Sequence, residues 1–107
     1  METEVEMEGE KQLLVNSWGY KLRISAKANF EEDIPAQLII KNPANQVHTK
    51  DLDTIDAAAG EFLYTVQEDD FLEEGQYKFQ ILQEGEGFRY LSSVFSASVL
   101  NSIDMVE

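Results

Sequence analysis

Apolar residues recur at every second position along short segments of this chain, and Gly, Asn, Asp or Pro recurs in the turns between them. Phe62 and Tyr64 fall on one side of Glu61–Val66, with Leu63 and Thr65 on the other; after Gly75, Tyr77, Phe79 and Ile81 repeat the pattern. Side chains of a strand point to alternate faces, so a period of two marks half-buried antiparallel strands. Tyr20–Ala26 alternates in the same way, with Tyr20, Leu22, Ile24 and Ala26 inward and Lys21, Arg23 and Ser25 outward. Ala36–Lys41 sets Leu38 and Ile40 on one face, and Asn42-Pro43-Ala44-Asn45 then ends it. Proline suits the second position of a β-turn and asparagine tolerates left-handed geometry, so Val47–Leu52 is expected to return as a hairpin partner. Gln12–Val15, Phe88–Leu91 after the Glu84–Gly87 turn, and Val94–Leu100 complete the set. Seven or eight strands at roughly 8–12-residue spacing predict an all-β antiparallel sandwich. Residues 51–59 and 68–74 lack an apolar stripe of helical length; one helical turn is expected near Asp70–Glu74.

At 107 residues the chain is one domain with enough surface to bury for a single core. There is no cysteine, which removes disulfides, thiolate metal sites and thiol nucleophiles together and favours synthesis in a reducing cytoplasm. No apolar run approaches the ~20 residues of a membrane span, and the N-terminus has no basic and apolar secretion signal.

Charge changes the picture more. Twenty-one acids against eight bases give a net charge of −13, a field that repels nucleic acid and anionic membranes. Glu2, Glu4, Glu6, Glu8 and Glu10 occupy the first ten residues without a base, and in an extended chain they share one face, opposite Thr3, Val5 and Met7. Residues 1–10 are therefore read as an extended or disordered acidic arm, residues 11–107 as the sandwich, and loss of the arm is expected to leave the fold intact.

The order of turns and strands resembles a known family. Ile40-Lys41-Asn42-Pro43 resembles its Lys-x-Pro hairpin, Asp56–Gly60 its Asp-x-x-x-Gly turn, and Tyr64 its mid-strand tyrosine. Asp70-Phe71 then matches an acidic and apolar pair, Gly75-Gln76-Tyr77 a Gly-x-Tyr strand start, and Ser92, Phe95 and Val99 the last strand. From about residue 35 to 102 the chain is similar to the N-terminal immunoglobulin-like domain of tailed-phage baseplate upper and tail-fibre proteins. The resemblance implies an immunoglobulin-like sandwich and a small virion component, such as a decoration, neck or tail-adaptor protein. It also implies a larger capsid or tail protein as partner, in many symmetric copies, after synthesis in a host cytoplasm.

Catalytic chemistry is hard to assemble from these residues. The single histidine, His48, sits on an expected hairpin strand beside Thr49 and Lys50, which makes it an exposed strand residue rather than a base or metal ligand. The acids stand in runs on expected loops, where water keeps them ionised, unlike the raised-pKa carboxylates of glycosidases. Glu68-Asp69-Asp70-Phe71-Leu72-Glu73-Glu74 lacks calcium-loop spacing, and its two apolar residues are expected to plug the end of the sandwich. No enzyme activity, cofactor or metal is expected. Trp18, between Ser17 and Gly19, is expected to be a partly buried core residue, with anchoring of an interface as the alternative. Candidate partner contacts are Glu2, Glu4, Val5, Glu6, Met7 and Glu8 in the arm, Trp18, and Asp69, Asp70, Phe71, Glu73 and Glu74 in the acidic loop. Two other functions fit the composition: an acidic DNA mimic that inhibits a host nucleic-acid-binding enzyme, and a carbohydrate-binding sandwich module.

Overall fold

The computed structural model describes residues 6–8, 13–26 and 30–100. Its elements are all strands: β1 (Glu6–Glu8), β2 (Leu13–Leu14), β3 (Lys21–Ser25), β4 (Ala36–Lys41), β5 (Val47–Asp51), β6 (Asp53–Asp56), β7 (Glu61–Thr65), β8 (Gly75–Gly85), β9 (Phe88–Leu91) and β10 (Phe95–Leu100). One sheet runs β1-β3-β7-β6; the other runs β2-β10-β8-β4-β5, with β9 also paired to β8. All pairings are antiparallel except β2 with β10. The first strand is thus divided between the sheets, and β5 passes into β6 at buried Leu52, so the chain changes sheet at both edges. This is an immunoglobulin-like β-sandwich.

The period-two pattern places the core. Leu22 and Ile24 of β3, Leu38 and Ile40 of β4, Phe62 and Tyr64 of β7, and Tyr77, Phe79 and Ile81 of β8 are all buried between the sheets. Aromatic rings interlock there: Phe30 meets Phe62 and Tyr90 edge-on, Phe71 meets Tyr77 edge-on, and Phe79 stacks on Phe95. Such contacts contribute about 0.5–1.5 kcal/mol each beyond burial. At the far end buried Gln83 donates to the carbonyls of Glu31 and Ile34 and accepts the Glu31 N–H, tying the β3–β4 connection to β8.

Three expectations change. Residues 53–56 form β6, although Asp53, Thr54, Ile55 and Asp56 are all exposed. An edge strand held by β7 on one side needs no apolar face of its own, so hydropathy does not reveal it. No helical turn forms over Asp70–Glu74: residues 68–70 make a turn and 71–74 run on without helix into β8. The acidic arm also does not end outside the domain: Glu6, Met7 and Glu8 pair with Ser25, Ile24 and Arg23, so the sheet crosses the expected boundary near residue 10. Backbone pairing along β3 outweighs the dispersed charge of the segment.

The hairpin β4–β5 follows its turn chemistry. Asn45 N–H donates to the Asn42 carbonyl, with Pro43 at the second turn position and Asn45 left-handed at φ 67°. Pro43 then packs against the start of β8, where a Cβ on Gly75 would lie 2.8 Å from Pro43 Cγ. Gly75 also has φ 137°, a conformation only glycine adopts freely.

Gly75→Ala is expected to lose about 2 kcal/mol or more, lowering Tm by roughly 10 °C, from strain and overlap together. Gly87→Ala, also at positive φ but with open space around it, should lose about half as much. Equal losses in thermal unfolding would show that the Pro43 contact is not limiting. Deleting residues 1–10 should lower Tm and cause concentration-dependent aggregation, because it uncovers the β3 edge. Wild-type light scattering from the truncated chain would contradict the role given to β1.

Candidate functional site

The connection from β7 to β8 crosses between sheets, and its residues fix one end of the sandwich. Asp70 is buried there. Its carboxylate accepts a hydrogen bond from the Tyr64 hydroxyl and another from the Gln67 N–H at 2.8 Å. Lys50 Nζ, on β5, lies 3.5 Å from Asp69 Oδ1 and from Asp70 Oδ1 and 3.4 Å from Gln67 Oε1. Lys50 thereby joins the edge of the larger sheet to the crossover. At the start of β8, the Tyr77 hydroxyl donates to the Glu73 carbonyl at 2.9 Å and accepts the Glu73 N–H at 3.3 Å. This is the tyrosine corner of immunoglobulin-like sandwiches, in which a tyrosine at the start of a strand ties back to the preceding backbone.

The loop before β3 packs on this crossover. Asn16 N–H donates to the Phe71 carbonyl and Gly19 N–H to the Val66 carbonyl, each at 2.8 Å. Ser17 N–H and Oγ both bond the Leu14 carbonyl, and Ser17 Oγ lies 2.9 Å from the Tyr20 hydroxyl. Asn16 at φ 65° and Gly19 at φ 92° give the loop its two sharp reversals. Trp18 is carried at its tip, 55% exposed, and Leu72 of the crossover is 57% exposed at the same end.

The expected contact residues divide accordingly. Asp69, Glu73 and Glu74 are exposed on the crossover, next to the Trp18 loop. Trp18 is not a core residue: the flanking turn is bonded so tightly to the crossover that its side chain is held outside the sandwich. Asp70 and Phe71 are buried and unavailable to a partner. Asp70 is therefore not a solvated loop acid; the Tyr64 hydroxyl and the Gln67 N–H replace the water it loses. Phe71 plugs the end of the sandwich as expected, whereas Leu72 points out. Adjacent residues of an extended segment face opposite ways, so only one of Phe71 and Leu72 can plug the end; Glu73 and Glu74 after Leu72 are the sign in the sequence that it faces solvent. Glu6, Met7 and Glu8 belong to β1; Glu2, Glu4 and Val5 lie outside the described residues.

A cleft of about 220 Å³ between β5 and the crossover is lined by His48, Lys50, Asp69, Asp70, Glu73 and Tyr77 among others. His48 is exposed, as expected of a strand residue. Lys50 is engaged with the carboxylates, and the lining contains no Ser, Thr or Cys to act as nucleophile. Among the described residues, no three or more His, Asp or Glu are grouped to hold a metal ion.

No family model matches the chain, and no curated protein matches its sequence. Among solved structures it is similar to CopC from Methylosinus trichosporium OB3b, with a TM-score of 0.54 at 10% identity over 92% of this chain and 95% of that one. At that identity the likeness shows the shared β-sandwich alone.

Burial raises the Tyr64 hydroxyl well above the usual tyrosine range, and its hydrogen bond to the Asp70 carboxylate adds to the rise. Burial raises Tyr77 as well, against the bond it shares with the Glu73 backbone. In the unfolded chain both ionise near pH 10. Their contribution is therefore complete below pH ~10 and is lost as pH rises further, because only the unfolded state then releases the proton. Tyr64→Phe should reduce stability at pH 7 by about 1.5–3 kcal/mol, since it leaves a buried carboxylate short of a donor. The same variant should lose less stability above pH ~10, with a slope shallower by up to about 1.4 kcal/mol per pH unit. Parallel denaturant-derived stability curves for wild type and variant from pH 7 to 11 would contradict this role.

Proposed function

We propose that this chain is a non-enzymatic structural component of a multi-copy assembly that docks on a larger protein through the Trp18 end of its sandwich. The resemblance to tailed-phage baseplate upper and tail-fibre domains points to a virion as that assembly, with the chain as a decoration, neck or tail-adaptor protein. The observation that carries the docking reading is Trp18. The loop that carries this large, exposed apolar side chain is fixed by at least four hydrogen bonds, so the ordering cost of the backbone is met before any partner arrives. Tryptophans set in this way are the side chains on which interface energy concentrates. Around it, Asp69, Glu73 and Glu74 supply an acidic rim, which suits a partner surface combining an apolar pocket with lysines or arginines.

The DNA-mimic alternative needs a continuous acidic surface. The larger sheet interrupts it: Lys41 and Lys78 stand side by side across β4 and β8, both exposed.

Trp18→Ala should lower Tm by only a few degrees, because more than half of the residue is exposed, and reduce incorporation into particles at least tenfold. Quantitative mass spectrometry of purified particles made with each form measures this. Undiminished incorporation of a folded Trp18→Ala chain would overturn the docking reading.

A further inference from the structure

The outward face of the six-stranded sheet differs in chemistry from the rest of the molecule. Register places Gln37, Ile39 and Lys41 of β4, Val47, Thr49 and Asp51 of β5, and Gln76, Lys78 and Gln80 of β8 on that face, opposite the buried Leu38, Ile40, Tyr77, Phe79 and Ile81. Val47 and Val94 are 59% and 58% exposed on it, an unusual pair of large aliphatic side chains to leave in water. Together with Ile39 they line a shallow groove of about 480 Å³ whose rim carries Lys41 and Lys78. The two lysines are direct cross-strand partners, and among the described residues neither pairs with a carboxylate. Like charges placed opposite each other on a sheet are destabilising. Here the pair lies in a chain that has more than twice as many acids as bases to offer as partners.

The complementary shape is on the same chain. Leu72 projects from the crossover between Asp69 on one side and Glu73 and Glu74 on the other: one exposed aliphatic side chain flanked by unburied acids. The groove offers an aliphatic floor flanked by two unpaired lysines. We infer that the occupant of the groove is a second copy of this chain, whose Leu72 seats among Ile39, Val47 and Val94 while its Glu73 and Glu74 reach Lys41 and Lys78. With the knob at the end of the sandwich and the groove on its outer face, each copy is inferred to use its crossover on one neighbour and its sheet on the other, a heterologous contact by which copies add in a chain or close into a ring. Intramolecular pairing is prevented because the crossover lies at the end of the sandwich and the groove on its outer face. At about 0.15 M salt the repulsion between copies of net charge −13 is screened beyond ~8 Å, so the local pairing governs the contact. This rests on the multi-copy part of the proposed function and is independent of Trp18.

Sedimentation velocity at rising concentration of the full chain in about 0.15 M salt tests the seat. Wild type should show a concentration-dependent series extending past the dimer. Leu72→Ser, which keeps the groove, and the double variant Lys41→Glu/Lys78→Glu, which keeps the knob, should each be monomeric with near wild-type Tm. Mixed, the two variants should form a one-to-one dimer and nothing larger, because only one knob and one groove remain competent. A wild type that stays monomeric, a Leu72→Ser chain that self-associates like wild type, or a mixture that gives no dimer would each overturn the inference. Those results leave the docking reading standing if Trp18→Ala still fails to enter particles, which keeps the two failures distinct.

Discussion

The β7–β8 crossover is held by a single buried carboxylate. A chain leaving one sheet of a sandwich for the other must carry its polar backbone over the end of an apolar core, and the groups exposed there have to be satisfied. Asp70 does this by accepting from the Tyr64 hydroxyl at the end of β7 and from the Gln67 N–H inside the turn. Tyr77 repeats the device against the Glu73 backbone at the start of β8. With both in place, Phe71 closes the core from below and the Asn16–Gly19 loop has two fixed carbonyls on which to dock. Trp18 and Leu72 are held out from the sandwich as a consequence of that fit. The surface features of this end therefore depend on an acid that no partner can reach.

Charge is distributed with a similar logic. Lys50 is drawn into the crossover by Asp69 and Asp70, and Arg23 is paired with Glu61 across β3 and β7. Arg89 lies 3.5 Å from Glu84 on the β8–β9 hairpin. Lys41 and Lys78 are different, since the strand register sets them opposite one another instead of opposite an acid. The same sheet leaves Val47 and Val94 in water, so its outer face combines the two properties that distinguish an interaction surface from a solvated one.

Alternation in the sequence determined which faces of β3, β4, β7 and β8 are buried, because a strand has only two faces and burial must choose one. Tyr77, Phe79 and Ile81, Phe62 and Tyr64, and Leu22 and Ile24 were legible for that reason, as was the Pro43–Asn45 turn, whose backbone angles are properties of the residues themselves. The exposed His48 was legible too, from its polar neighbours. What the sequence did not reveal depended on partners distant along the chain. β6 exists because β7 offers it an edge, and β1 because β3 does; neither needs an apolar pattern to pair. Asp70 looks like any acid of its loop until Tyr64 is brought against it, and Trp18 looks like a core residue until the crossover fixes its loop outside. The opposition of Lys41 and Lys78, and the chemical match between the Leu72 knob and the groove beside them, follow from register and sheet order. Local sequence determines the faces of strands; only the tertiary fold decides which strands become neighbours, because pairing is a contest among all the edges the chain presents.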